Sequence, residues 1–372
     1  MMTAAHAPPP WRRLGPARLQ PDDNPASVRV RKYLTGTHLL LAAAPAEVAP
    51  VPRELIWQRG PVRLWRYTSA RRSHRVPVIL VYAMILRPYI LDLVRGRSVV
   101  EFLVDAGHDV WLVDWGDPRP ADSRTGLDSY IDTYLRAVVT TVAGVTGCAA
   151  ATLIGHCQGG TLAAIYAAMH PGEVRNLVLL AAPIDFVPVP PHAVGSWSLW
   201  SRQRWYDPRV LLGAGGNVPA DLPGRAVAAL SAPATMAAPW LAPLRTRLAG
   251  SEDGRAWLGA CQWVDDSPPL SGTAWVQWLA GCYQRNDLVH GRMRIGGRRV
   301  ELGRVTADVL RIRGRRDVVT PPHQTARPAH LPAARGFATV EAPAGHVGLI
   351  VGPAARTTMY QPLGRWLATR SG

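Results

Sequence analysis

The stretch Ala-Thr-Leu-Ile-Gly-His-Cys-Gln-Gly-Gly at residues 151–160 joins a small apolar segment to a helical pattern that runs on to about Met169. The apolar segment, residues 150–154, predicts a short strand. The helical pattern opens directly at Gln158. The sequence therefore predicts a strand, a sharp turn at Cys157 and a helix in immediate succession.

The glycines around Cys157 have the Gly-x-nucleophile-x-Gly spacing that is the elbow signature of α/β hydrolases. In this elbow the nucleophile lies in a strained turn, and glycines such as Gly155 and Gly159 let neighbouring backbones come close. Cys157 takes the place of the usual serine. The positive end of the helix dipole favours a thiolate there, so we expect a nucleophile. The alternative is a buried structural cysteine in a glycine-rich turn.

On both sides of the elbow, short apolar runs alternate with amphipathic runs. Predicted strands lie at 62–67, 76–82, 110–114, 177–181, 309–312 and 338–341, and predicted helices at 98–106, 129–145, 158–169 and 353–369. This alternation is typical of parallel βαβ units with both sheet faces covered. We expect an α/β-hydrolase fold with a mostly parallel sheet.

The domain organisation follows from where this rhythm stops and resumes. Residues 187–290 carry scattered prolines and eight of the 14 tryptophans, which predicts a mostly helical cap inserted between two core parts, 29–186 and 291–372. A second independent domain is the alternative. Residues 1–28 are rich in Pro and Arg without periodicity and predict a mobile arm.

An acid and a histidine follow the nucleophile in the order that this fold requires. Asp317 comes after the predicted strand 309–312, and His346 comes after 338–341. We expect His346 to withdraw the proton of Cys157, and Asp317 to fix the tautomer of the imidazole and stabilise the imidazolium.

Two backbone N–H groups are expected to face the developing oxyanion. One belongs to Gln158, which opens the helix after the elbow. The other comes from the loop after the predicted strand 76–82, nominally from Ile85, with Met84 as the alternative. His156, beside the nucleophile, is a rival base, but a neighbour in an elbow points elsewhere.

Composition places the chain among globular proteins, since 48% of its residues are hydrophobic and 18% are charged. The formal net charge is +16, yet the arginines are spread through the chain, with their densest stretch at 292–316. A solvated basic face accounts for this stretch, and attraction of an anionic substrate or an acidic partner is the alternative. We expect no nucleic-acid partner.

The sequence carries no motif of a disulfide framework, a metal site or a cofactor site. The four cysteines are too few and too scattered for a disulfide framework or a CxxC zinc site. There is no phosphate loop, HExxH helix or GxGxxG turn, so we expect no cofactor and no metal. The absence of a signal-peptide pattern and of an uncharged run of 18 residues predicts a cytoplasmic protein without a transmembrane segment.

Further motifs occur in order along residues 53–370. They are Val81-Tyr82-Ala83, Arg87-Pro88-Tyr89-Ile90-Leu91-Asp92-Leu93, Arg97-Ser98-Val99-Val100, Asp114-Trp115-Gly116, Leu127-Asp128-Ser129-Tyr130-Ile131, Cys157-Gln158-Gly159-Gly160, His170-Pro171, Val174-Arg175-Asn176-Leu177-Val178, Pro183-Ile184-Asp185-Phe186, Tyr283-Gln284 with Asn286, Leu288 and Gly291, and Gly345-His346-Val347-Gly348. Together they resemble polyhydroxyalkanoate synthases, most closely the short catalytic subunit of the two-subunit class, class III.

The resemblance implies a 3-hydroxyacyl-CoA substrate, with 3-hydroxybutyryl-CoA as the expected example, and a polyester product formed with release of CoA. The triad of the family carries over onto Cys157, Asp317 and His346, with the acyl group held as a thioester on the cysteine. Implied partners are a second synthase subunit and the surface of a polymer granule, where the protein is expected to reside. A homo-oligomer is also expected.

Four positions depart from the family pattern. Leu86 stands where the family has Asn, Arg119 where Asp is usual, His156 where an aliphatic or Tyr residue is found, and Val318 in place of His. None removes a member of the triad, but they bear on elongation. Two alternatives therefore stay open: a cysteine-nucleophile hydrolase of thioesters or esters, and a non-catalytic paralogue that binds granules or a partner.

Overall fold

The computed structural model describes residues 47–67, 69, 71–187, 202–203, 205–220, 222 and 251–371. The predicted arm at 1–28 lies outside these residues, as does a large part of the predicted cap, between 188 and 250. The division of the chain into core and cap stays a prediction.

The strands follow the predicted pattern closely and add edge strands to it. They are β1 (Glu54–Arg59), β2 (Val62–Tyr67), β3 (Val78–Val81), β4 (Asp92–Val94), β5 (Arg97–Ser98), β6 (Val110–Asp114), β7 (Ala151–His156), β8 (Val174–Leu180), β9 (Arg294–Ile295), β10 (Arg298–Arg299), β11 (Asp308–Gly314) and β12 (Gly336–Ala342). Among them β2 and β6 have the predicted bounds.

Within the described residues, eight strands form one sheet in the order β1-β2-β6-β3-β7-β8-β11-β12. From β6 to β12 all neighbours pair in parallel, whereas β1 and β2 are antiparallel. The pairs β4-β5 and β9-β10 form small sheets of their own. The mostly parallel sheet confirms the predicted fold class and puts β7, which leads into Cys157, near its centre.

The helices also match the predicted pattern. The α-helices are α1 (Val99–Asp105), α2 (Arg136–Thr146), α3 (Gln158–Met169), α4 (Glu252–Asp265), α5 (Gly272–Trp278), α6 (Gly348–Val351) and α7 (Gln361–Ala368). Wider π-helical turns precede α2 at Ser129–Leu135, follow α5 at Leu279–Gln284 and precede α7 at Arg356–Tyr360. Among the described residues, no helix has both the length and the apolar character needed to span a membrane.

The sheet separates two hydrophobic clusters, because alternate residues of a strand point to opposite faces. Ile79 and Val81 of β3 pack with α2 and α3 on one face. Val78 and Leu80 pack with α1 and α7 on the other face. Every residue of α3 is buried. A helix enclosed on all sides gives the elbow at its N-terminus a rigid support.

A buried carboxyl group, Asp92 of β4, joins the start of the described chain to α1. Its side chain accepts hydrogen bonds from the N–H of Val51 at 3.2 Å and from the hydroxyl of Ser98, the N-cap of α1, at 2.7 Å. Burial raises the pKa of Asp92 from 3.8 to about 6, although these hydrogen bonds oppose the shift.

Asp92 is therefore expected to make stability fall as the pH rises. Because its pKa is higher in the folded chain than in the unfolded one, the folded state holds the proton between pH 4 and 6, and the free energy of unfolding decreases over that interval by about 3 kcal/mol. Asp92→Asn removes this titration. Urea unfolding of both proteins at pH 4 and pH 7 measures the difference, and equal pH dependences would contradict the assignment.

Candidate active site

Cys157 occupies the turn between β7 and α3 in a strained backbone conformation. Its φ is 53° and its ψ is −129°, a combination that residues with a side chain rarely adopt. The rigid strand before it and the buried helix after it hold this conformation. The side chain therefore lies at the carboxyl edge of the central parallel strands, where α/β sheets place their ligands.

The three glycines of the elbow are required by close backbone contacts. A Cβ on Gly155 would lie 2.3 Å from the Cα of Gly160, and a Cβ on Gly159 would lie 2.1 Å from the carbonyl oxygen of Val81 in β3. A Cβ on Gly160 would lie 2.3 Å from the Cβ of Ala182. All three distances are too short for any side chain, so the motif seats α3 directly against the sheet.

Asp317, in the turn after β11, is held in place by its own backbone. It is 3% exposed, and its Oδ1 accepts hydrogen bonds from the N–H groups of Val319 at 2.9 Å and Thr320 at 2.8 Å. Its Oδ2 is thereby left to face His346, with 2.7 Å between Oδ2 and Nδ1. The carboxylate can orient the imidazole in this position.

His346, in the turn after β12, links the carboxylate to the thiol. Besides the contact with Asp317, the imidazole lies near enough to Cys157 for the thiol to affect its pKa. Burial lowers the pKa of His346, but the charge and hydrogen bond of Asp317 and the nearby Cys157 outweigh burial and raise that pKa well above its ordinary value. The structure thus brings the three predicted residues together, with Asp317 hydrogen-bonded to the imidazole and Cys157 near it.

The two predicted oxyanion donors lie on either side of the elbow. The N–H of Gln158 belongs to the first turn of α3, where it has no acceptor within the helix. The N–H of Met84 donates to the side-chain Oε1 of Gln158 at 3.2 Å and is therefore engaged. No described residue accepts a hydrogen bond from the backbone N–H of Ile85. Of the two candidates in this loop, Ile85 is the one that can receive an oxyanion.

His156 is buried beside the site without a polar partner. Its ring stacks on Tyr82, with 5.3 Å between the ring centroids, and lies 4.9 Å from the ring of His346. Neither ring nitrogen has a hydrogen-bond partner among the described residues. Burial, followed by the nearby His346, lowers the pKa of His156 well below its ordinary value. It is a neutral ring packed against the imidazole of His346.

Replacement of His156 by phenylalanine tests whether His156, rather than His346, acts as the general base. The variant keeps an aromatic ring against Tyr82 and His346 but has no nitrogen. We expect acyl-transfer rates within about threefold of the wild type, since loss of a general base would cost ~10²–10⁴-fold. We expect the free energy of unfolding to rise by about 1 kcal/mol, because two unpaired buried nitrogens are removed. A rate loss of ~10²-fold or more would make His156 the base.

Two tyrosines, Tyr82 and Tyr283, lie close enough to Cys157 to be affected by it. Burial and the nearby Cys157 raise the pKa of Tyr82 well above its ordinary value, and the same two causes raise that of Tyr283. Tyr283 packs in edge contacts with Phe186 and Trp278, at centroid distances of 5.1 and 6.5 Å. These rings give the site a wall that can exclude water. Tyr283 and Phe186 belong to the motifs quoted above and Trp278 is one of the cap tryptophans, and the structure adds the contacts between their rings.

The other departures from the family pattern lie in different surroundings. Leu86 is buried in the loop after β3, and Arg119 is exposed and pairs with Asp122 at 3.5 Å. Val318, next to Asp317, is 46% exposed. Among the described residues, no group of three or more His, Cys, Asp or Glu side chains could hold a metal ion.

Comparisons with known proteins agree with this architecture. A family model described as alpha/beta hydrolase fold matches residues 76–353. A solved structure of a thermophilic esterase from Thermogutta terrifontis aligns with a TM-score of 0.52, covering 89% of this chain and 100% of that one at 16% identity. At this identity the likeness concerns the fold alone.

Sequence relatives are more specific. The chain is 31% identical over 329 residues to the poly(3-hydroxyalkanoate) polymerase subunit PhaC of Haloferax mediterranei, covering 87% of this chain and 65% of that protein. It is 30% identical over 345 residues to the protein of the same name from Synechocystis sp., covering 91% of this chain and 90% of that protein. The chain thus spans just under two thirds of the first relative and most of the second.

Proposed function

The chain belongs to the α/β-hydrolase superfamily and within it to the polyhydroxyalkanoate synthases, and from this membership we propose that it polymerises 3-hydroxyacyl-CoA. The proposed product is a polyester, formed with release of CoA. The proposed intermediate is a covalent thioester on Cys157. The observation that carries the proposal is the hydrogen bond of His346 to Asp317, with Cys157 at the elbow near enough to raise the pKa of the imidazole.

Acylation would begin with the thiolate of Cys157 attacking the carbonyl carbon of the acyl-CoA thioester. The negative charge on the carbonyl oxygen would meet the backbone N–H groups of Gln158 and Ile85. When the tetrahedral intermediate collapses, the bond to the sulfur of CoA breaks, and the imidazolium of His346 gives its proton to the leaving thiolate. One thioester replaces another, so the step is nearly balanced in energy.

Elongation would use the hydroxyl group of a second 3-hydroxyacyl unit as the nucleophile. His346 would take the hydroxyl proton as the oxygen attacks the carbonyl carbon of the acyl-enzyme. The bond to the sulfur of Cys157 then breaks, which leaves an oxygen ester and the free thiolate. Water would compete at this step, so the aromatic wall that includes Tyr283 and Trp278 supports polymerisation over hydrolysis.

We further propose 3-hydroxybutyryl-CoA as a substrate, and a second synthase subunit and the polyester granule surface as partners, with a homo-oligomer as the assembly state. The relatives carry the word subunit in their names, which supports a partner chain. These assignments rest on family membership. No step of the proposed mechanism calls for a cofactor.

The experiment combines two measurements on the full chain, with and without a co-expressed candidate second subunit. Purified protein is incubated with 3-hydroxybutyryl-CoA, CoA release is followed, and the products are sized. We expect CoA release together with polyester. Release of CoA with monomeric 3-hydroxybutyrate as the sole product would identify a thioesterase instead. No CoA release under either condition would favour the non-catalytic alternative.

A further inference from the structure

The segment Tyr82 to Arg87, here called the oxyanion loop, carries the N–H of Ile85 that we assign to the oxyanion. The core of the protein holds its first half. The indole N–H of Trp115 donates to the carbonyl of Tyr82 at 2.9 Å, and the N–H of Met84 donates to the side chain of Gln158 at 3.2 Å. The loop is thereby attached to β6 on one side and to α3 on the other.

Residues of the predicted cap hold the second half of the oxyanion loop. The indole N–H of Trp263, in α4, donates to the carbonyl of Arg87 at 2.7 Å, and the hydroxyl of Ser267 contacts the carbonyl of Ile85 at 3.5 Å. Trp263 is 2% exposed. Two carbonyls of the loop are therefore fixed by side chains that lie more than 170 residues further along the chain.

An ion-pair network reinforces the same junction. The guanidinium of Arg87 makes two hydrogen bonds to Asp117, at 2.9 and 2.7 Å, and a third to Asp266 at 3.2 Å. Asp117 follows β6 and Asp266 follows α4, so the network ties the core and the predicted cap to one loop. A short 3-10 helix at Pro88–Leu91 continues the chain and limits where the loop can move.

The orientation of an oxyanion donor matters as well as its presence. An oxyanion donor must point at the position that the charged oxygen takes in the transition state, and small misplacements lower the rate steeply. The N–H of Ile85 makes no hydrogen bond to a described residue that would fix it. This N–H shares a rigid peptide plane with the carbonyl of Met84, so its direction depends on how the adjoining backbone is held. The carbonyls of Ile85 and Arg87, one and three peptide units further along, are held from the predicted cap.

We propose that Trp263 is a positioning residue for acyl transfer, whose indole N–H fixes the oxyanion loop so that the N–H of Ile85 faces the thioester carbonyl at Cys157. The inference rests on the proposed function in so far as it assumes an acyl-enzyme. It assigns the predicted cap a part in catalysis beyond covering the site. Ser267 assists by holding the carbonyl of Ile85.

Trp263→Phe tests this role because it removes the indole N–H and keeps a buried aromatic ring. Acylation of the enzyme is measured as the burst of p-nitrophenolate from p-nitrophenyl acetate, which requires no polymerisation. We expect the burst rate to fall about tenfold, with KM nearly unchanged. This fall is smaller than the ~10²–10³-fold loss expected when an oxyanion donor is removed completely. Steady-state CoA release from 3-hydroxybutyryl-CoA is expected to fall in kcat by a similar factor.

Alkylation of Cys157 by iodoacetamide distinguishes a misplaced oxyanion donor from a general loosening of the site. A general loosening would change the alkylation rate as well as the burst rate. Alkylation needs the thiolate but forms no oxyanion, so its rate in Trp263→Phe is expected to equal that of the wild type. Trp275→Phe is the matched control, since it removes a buried indole N–H that donates to the carbonyl of Pro208 at 3.1 Å. Neither acylation nor alkylation should change in this control.

The outcomes separate the inference from the proposed function. An unchanged burst rate in Trp263→Phe overturns the inference, and so does an equal loss of burst and alkylation rates. If Trp263→Phe does not fold, Ser267→Ala is measured instead. Its burst rate is expected to fall about threefold, which is less than the ~10²–10³-fold of complete donor loss. An unchanged burst rate in Ser267→Ala also overturns the inference. A wild-type burst without polyester would refute the polymerase but leave the inference standing.

Discussion

Cys157→Ala is expected to abolish CoA release, with a loss of at least ~10³-fold, because it removes the proposed carrier of the acyl chain. The remaining residues can bind the substrate and polarise its carbonyl, but they cannot form the thioester. Intact-mass measurement after incubation with 3-hydroxybutyryl-CoA checks this directly. The wild type should gain the mass of one or more acyl units, and the variant should gain none.

Two companion variants separate the nucleophile from the turn that holds it. Cys261→Ala changes a thiol in α4 and should leave the acyl adduct intact. Cys157→Gly should raise the free energy of unfolding relative to Cys157→Ala by about 1–3 kcal/mol, since glycine adopts a φ of 53° without the strain of a side chain. An acyl adduct in Cys157→Ala would place the nucleophile elsewhere and refute the proposed mechanism.

The local part of this site could be predicted from the sequence because its requirements are local. A Cβ at Gly159 would lie only 2.1 Å from a backbone oxygen, so glycine is required there and the glycine spacing carries the geometry of the elbow. Asp317 and His346 could be placed because each follows a parallel strand, and the carboxyl ends of parallel strands share one edge of the sheet. The positions of the strands along the chain came from the alternation of apolar runs, whereas their order in the sheet came from the structure.

Features that depend on distant packing could not be predicted. Strand β1 has mostly exposed residues and gives no clear alternation, and only its pairing with β2 makes it a strand. The hydrogen bond from Trp263 to the oxyanion loop joins residues 176 positions apart. From the sequence, a tryptophan in a helical pattern is first assigned to the hydrophobic core. The unpaired ring nitrogens of His156 likewise become visible only once its neighbours are placed.

Asp317→Asn is expected to reduce acyl transfer by ~10³–10⁴-fold, because it forces the wrong tautomer on His346. The amide oxygen of asparagine can replace Oδ1 and accept the N–H groups of Val319 and Thr320. The amide nitrogen must then point at Nδ1 of His346, which can only accept that hydrogen bond. The proton of the neutral ring moves to Nε2, so the ring can no longer take a proton from Cys157.

The same substitution should change the pH dependence of Cys157 alkylation, a readout that does not depend on turnover. The Asp317 carboxylate raises the pKa of His346, so its loss destabilises the imidazolium that accompanies the thiolate. Alkylation by iodoacetamide at pH 7 should slow, and its half-maximal rate should move to higher pH. Asp308→Asn, which neutralises a carboxylate paired with Arg335 at 3.2 Å at the opposite end of β11, is the matched control. An Asp317→Asn protein with wild-type turnover and alkylation profile would show that His346 is oriented by something else.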